Sequence, residues 1–132
     1  MKFSTKATYG LRAVINLAQN PKNQPKPLSL IAKEENISLG YLEQLFRILK
    51  KSGFVKASRG NSGGYHLTKN PKEISIGEII ESLEGSIIEV SCTARKGDCK
   101  NCKSKFVWQS IKKYLKEALG SLTLKDLIEK ND

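Results

Sequence analysis

Residues 28–68, LSLIAKEENISLGYLEQLFRILKKSGFVKASRGNSGGYHLT, carry the tightest local constraints in the chain. Ser29 is a candidate N-cap for a short helix through Glu35, and Asn36 interrupts that helix. Ser38 offers a fresh N-cap for a second helix running to about Lys51, where Gly53 stops it. Leu42, Leu45 and Leu49 recur at three- and four-residue spacing and join Ala32 and Ile37 in one apolar seam, which brings the two helices together. The opposite face then holds Tyr41, Glu43, Gln44, Arg47 and Lys50, hydrogen-bonding and cationic groups suited to base edges and phosphates. The plain alternative is a solvated helix face.

The next stretch bears on that choice. Phe54 to Ser58 and Tyr65 to Thr68 have strand-like composition, and the RGNSGG between them supplies the glycines that a tight hairpin tip needs. Arg59 sits on that tip, where a cation on a short ribbon reaches a neighbouring minor groove. Helix, turn, helix and hairpin make a mainly α fold, a winged helix-turn-helix with a two-stranded wing. As a nucleotide cradle the same glycines fail, because no GxxxxGK[ST] is present and the flanking order is wrong.

A formal charge of +10 on 132 residues calls for an anionic partner, and DNA, RNA and an anionic membrane surface all qualify. No run approaches the apolar length of a spanning helix, and MKFSTKATYGLRAV lacks the continuous apolar stretch of a signal peptide, so the expected location is the cytoplasm. There, three cysteines within eleven residues read as metal-binding or redox-sensing sooner than as structural staples.

The runs STKATYGLRA (residues 4–13), YLEQLFRILKKSGFVKASRG (41–60) and GGYHL (63–67), with the cysteines near position 100, resemble the iron-sulfur cluster regulator family of bacterial winged helix-turn-helix transcription factors, the IscR, NsrR and CymR type. The likeness runs from Met1 to about Ile128. It implies a homodimer on palindromic double-stranded DNA. The expected DNA-binding set is Ser38, Tyr41, Glu43, Gln44, Arg47 and Lys50 from the helix, with Arg59, Gly60, Gly63 and Gly64 from the wing.

Elsewhere, Ser4 or Thr5 caps a first helix whose Phe3, Ala7, Leu11, Val14, Ile15 and Ala18 form one stripe, ended by Asn20 and Pro21. PKNQPKP reads as a stiff connector without regular structure, its lysines free for phosphates. Ser75 and Glu78 form a capping box for a helix closed by Gly85, with Ile76, Ile79, Ile80 and Leu83 on its buried side. From Lys103 to about Gly120, Val107, Trp108, Ile111, Leu115, Ala118 and Leu119 fall in helical register, opposite Lys112, Lys113 and Lys116. Such a stripe is expected to meet the same helix of a second copy, which sets two recognition helices about 34 Å apart along DNA; the alternative is packing on the first helix. Thr123 and Asp126 cap a last short helix. The expected division is a DNA-binding domain over 1–85, a cysteine loop over 86–102, and a dimerisation helix with a short terminal helix over 103–132.

Cys92, Cys99 and Cys102 lie among Arg95, Lys96, Lys100, Lys103 and Lys105, cations that favour the thiolate. An iron-sulfur cluster, a metal-free thiol switch and a zinc site all draw on such a segment. The resemblance implies a cluster, 2Fe-2S ahead of 4Fe-4S. Relatives complete theirs with a histidine after the third cysteine or an acidic residue in the first helix; here Lys105 stands at the former place and no Asp or Glu precedes Glu34. His66, the one histidine, belongs to the wing, so the fourth ligand is open. Two alternative readings remain: a CxxC redox enzyme, against which stands the lack of any thioredoxin-like pattern, and a thiol-switch regulator acting in complex with a metabolic enzyme.

Overall fold

The computed structural model describes residues 3–21, 24–59, 63–85 and 102–130. In chain order they form α1 (Thr5–Ala18), α2 (Leu28–Glu35), α3 (Leu39–Lys51), β1 (Val55–Ser58), β2 (Gly64–Leu67), a 3-10 turn (Pro71–Glu73), α4 (Ile76–Glu84), α5 (Lys105–Ser121) and α6 (Leu124–Ile128). The result is mainly helical, with one two-stranded antiparallel wing and a long C-terminal helix.

Ser4 caps α1, its hydroxyl accepting from the Lys6 N–H. The buried side of α1 differs from the expected stripe: it is Ala7, Gly10, Ala13, Val14, Asn16 and Leu17, while Phe3 precedes the helix and is exposed. Leu11, Ile15 and Ala18 are half-buried at its margin. The reason is close approach. At Gly10 a Cβ would come within 2.5 Å of a Leu83 methyl of α4, so small residues mark the contact line.

Ser29 does not cap α2. The helix starts two residues earlier, with Pro27 at the N-cap in an extended conformation (φ −63°, ψ 139°) and no side-chain hydrogen bond. Proline's preset φ leads the chain into the helix without a capping oxygen. The far end matches expectation, because Asn36 adopts the left-handed conformation (φ 55°, ψ 49°) and the Ile37 N–H returns to the Ala32 carbonyl at 3.0 Å. Ser38 then accepts from the Tyr41 N–H at 3.2 Å and α3 begins. Into the shared seam go Ala32, Ile37, Leu42, Leu45 and Leu49, joined by Ile31 and Phe46, both fully buried. Gly53 ends the helix at φ +85°.

The wing pairs Val55 with Leu67, Lys56 with His66, Ala57 with Tyr65 and Ser58 with Gly64. Its base is closed by Thr68, whose N–H donates to the Phe54 carbonyl at 3.1 Å. The connector is not structureless: Lys26 forms a β-bridge with Tyr65.

Both expected capping boxes are present, Ser75 with Glu78 and Thr123 with Asp126. They start adjacent segments: the Ile76 N–H donates to the Leu122 carbonyl at 2.8 Å and the Leu124 N–H to the Ile74 carbonyl at 3.0 Å. Leu124 is thereby fully buried in the core that α1, α3 and α4 build. α5 starts at Lys105, not Lys103, after a turn through Ser104 that makes no side-chain cap. It packs on α4; a Cβ at Gly77 would lie 3.2 Å from that of Leu119.

At the end of α4, the Glu84 carboxylate accepts from the Ser4 N–H at 2.6 Å and from the Ser4 hydroxyl. The hydroxyl above all holds this carboxyl below the usual glutamate range. A carboxyl depressed in the folded state adds stability above its unfolded pKa and loses it as pH falls through the lower folded value. Glu84→Gln is therefore expected to lower the melting temperature at neutral pH and to narrow its gap from the native chain below about pH 4; acid melts of both chains check this, and a pH-independent gap would contradict it.

Candidate nucleic-acid interface

The side chains of α3 divide cleanly. Leu42, Leu45, Phe46 and Leu49 face the core, while Glu43, Gln44, Arg47 and Lys50 are exposed along one arc. Lys51 shares that arc, one turn after Arg47; four-residue spacing from Arg47 is the signal that finds it. Ser38 is exposed at the start of the helix, where its oxygen is engaged as the cap.

Tyr41 lies apart from the rest. It is half-buried at the edge of the arc, its hydroxyl 2.9 Å from the Thr5 hydroxyl and its ring edge-on to Tyr9 at 6.1 Å. α1 thus braces the first turn of α3. Thr5 follows Ser4, the residue that Glu84 holds, so one hydrogen-bonded path links the end of α4 to α3. No spacing rule reveals it, because it joins residues 36 and 80 positions apart.

On the wing, Arg59 is exposed beyond β1, and Lys56 is exposed on the strand itself. Gly60 lies outside the described residues; Gly63 and Gly64 are half-buried. Gly64 has a structural reason to lack a side chain, since a Cβ there would strike the Lys26 carbonyl and its φ is +156°. His66 faces Ser58, Nδ1 to hydroxyl 3.4 Å. Together these residues form an amphipathic helix with an exposed polar and cationic arc and a ribbon bearing exposed cations.

A family model described as Rrf2, iron-dependent transcriptional regulator, matches residues 3–130. The chain belongs to the Rrf2 family. Among curated relatives, the HTH-type transcriptional regulator IscR of Vibrio campbellii is 34% identical over 135 aligned positions, covering 100% of this chain and 80% of the relative. Among solved structures, CymR, the global cysteine regulator of B. subtilis, superposes with a TM-score of 0.83 at 40% identity, covering 100% of this chain and 99% of that one. T. potens IscR gives 0.79 at 40% identity, covering 98% and 87%. The Rrf2 relatives are DNA-binding transcriptional regulators, not enzymes. Among the described residues no helix is long and apolar enough to cross a membrane.

Of the cysteines of this Rrf2 chain, Cys92 and Cys99 lie outside the described residues. Cys102 is half-exposed just ahead of α5, its sulfur 3.0 Å from the Ser104 hydroxyl. That hydroxyl, then the Lys105 backbone N–H, draws the thiol below its usual range. The shift favours the thiolate, the form that binds metal, so the donor chemistry of Cys102 fits a thiolate-held group. His66 is committed to the wing.

Proposed function

We propose that this Rrf2 protein is a homodimeric regulator that reads palindromic double-stranded DNA with α3 and the wing and senses iron-sulfur, redox or nitric oxide status through Cys92, Cys99 and Cys102. What carries the DNA reading is the clean division of α3, with four apolar residues buried and Glu43, Gln44, Arg47 and Lys50 exposed beside Arg59. Arg47 and Gln44 are suited to purine edges, Lys50 to phosphate, Ser38, Gly60 and Gly63 to backbone contact, and Arg59 to a minor groove. Glu43 accepts from cytosine and repels phosphate, so it selects sequence while weakening general attraction.

The three cysteines would hold a 2Fe-2S cluster, with 4Fe-4S as the alternative nuclearity and the fourth ligand unassigned. Bound there, such a cluster supplies a centre that is lost or altered on oxidation, nitrosylation or iron shortage. Cys102 adjoins α5, and Glu84 adjoins the segment that carries the other two cysteines. A change between them bears on α5 from one side, and through Glu84, Ser4, Thr5 and Tyr41 on α3 from the other. The difference in free energy with which the two states hold the cluster limits how far DNA affinity shifts. A metal-free thiol switch acting with a metabolic enzyme is the second reading, supported by the likeness to a cysteine regulator.

Anaerobic purification with absorbance and iron-sulfide analysis, alongside a variant with all three cysteines changed to serine, separates these readings. Brown colour that needs every thiol supports the cluster; a colourless chain whose DNA affinity still follows thiol oxidation supports the switch. For the readout, Glu43→Ala is expected to compress discrimination between operator variants by about tenfold. Competition binding with single-base variants measures it, and undiminished discrimination would count against the role.

A further inference from the structure

The sequence places Lys26 in a stiff connector without regular structure, its charge free for phosphates. Instead its side chain is only 13% exposed, and its ammonium lies 2.6 Å from Asn16 Oδ1 of α1 and 2.6 Å from Glu34 Oε1 of α2. Asn16, itself buried, donates to Glu35 Oε2 at 2.8 Å, and Glu35 is held in turn by Arg12. This network welds the connector to both helices behind the DNA-facing surface. The charge of Lys26 is already satisfied and turned inward, away from any phosphate.

Its backbone does a second thing. The Lys26 N–H donates to the Tyr65 carbonyl and the Tyr65 N–H to the Lys26 carbonyl, both at 2.9 Å, so Lys26 adds a one-residue third strand to the wing. Tyr65 also sets its ring edge-on against Phe46 of α3, centroids 5.0 Å apart. Gly64 lets the two backbones come this close. The wing is therefore gripped from outside by Lys26 and from inside by Phe46, and the Lys26 grip ties it through Asn16 and Glu34 to α1 and α2.

We propose that Lys26 is a positioning residue for DNA binding: without touching the duplex, it fixes the wing relative to the helix pair and so decides where Arg59 arrives. The proposal rests on the reading of Arg59 as a DNA contact. It has a signature that a merely stabilising residue lacks, namely that Lys26 and Arg59 are energetically coupled although only Arg59 meets DNA.

The probe is a fluorescein-labelled duplex selected by the native protein from a random pool, with affinities measured for native, Lys26→Met, Arg59→Ala and the double variant. Arg59→Ala should cost about tenfold in the native background and flatten the salt dependence by about one ion. In the Lys26→Met background the same change should cost less than about twofold, because the mispositioned arginine has little left to lose. Lys26→Arg, which keeps the charge, should recover most of the coupling. Glu34→Gln, on an exposed partner, should give a smaller version of the same effect and serves if Lys26→Met does not fold. Equal cost of Arg59→Ala in both backgrounds overturns the proposal. The clamp is also read without DNA, by hydrogen exchange: the Tyr65 amide should exchange faster in Lys26→Met, and unchanged protection there overturns the clamp itself. A silent Arg59→Ala in the native background with faster Tyr65 exchange would instead sink the wing-contact reading and leave the clamp standing.

Discussion

Phe46→Ala is expected to lower the unfolding free energy by about 3–5 kcal/mol, the usual cost of emptying a phenylalanine site in a closed core. Phe46 has no exposed surface, and its neighbours Ile31, Leu42, Leu45 and Leu49 are held by rigid helices that cannot collapse into the space. The edge-on contact with Tyr65 adds about 0.5–1.5 kcal/mol that the variant also forfeits. Against a total stability of roughly 5–15 kcal/mol, such a loss should leave a chain that melts more than about 10 °C lower. Calorimetry or circular dichroism gives the number. Because Phe46 is the inner grip on the wing through Tyr65, the variant should also bind DNA more weakly at temperatures where it is still folded; a melting point within a few degrees of native would contradict this account of the core.

The second large effect belongs to α5. None of its residues is buried, and Phe106 at 75% and Tyr114 at 67% exposure lead a group of large apolar side chains that includes Val107, Trp108 and Ile111. A face of this kind, left open by its own chain, is where the proposed second copy would sit. The paired change Trp108→Glu and Ile111→Glu should therefore leave the protomer folded, convert the protein to a monomer in sedimentation, and weaken binding to the palindromic duplex by about a hundredfold or more, since each half-site must then be held separately. An unchanged sedimentation coefficient would place the dimer contact elsewhere. This effect and that of Phe46→Ala differ in kind: one removes association without unfolding, the other unfolds without touching the association face.

How much of this was readable beforehand depends on the range of the interaction. Ser38, Asn36, Gly53, the two capping boxes and the α3 seam were all legible, because caps and helical spacing are relations between residues within four positions. The exposed arc of α3 followed from the same spacing. The cap of α2 misled: Ser29 has the right chemistry, but the proline two residues earlier had already set the backbone. On α1 the apolar spacing finds Ala7 and Val14 but not Gly10, where Leu83 of α4 comes close and where hydrophobicity ranks the residue low.

From its own letters the chain determined a helix-turn-helix with a wing, an exposed polar and cationic face on α3 and a long apolar helix, since periodicity and turn chemistry are local. Only the tertiary structure decided that Lys26 points inward, that Gly64 is small so two backbones can meet, that Tyr41 leans on Thr5, and that Leu124 completes the core. Each of these joins residues that are not neighbours in sequence, and such pairings exist only once the helices have packed.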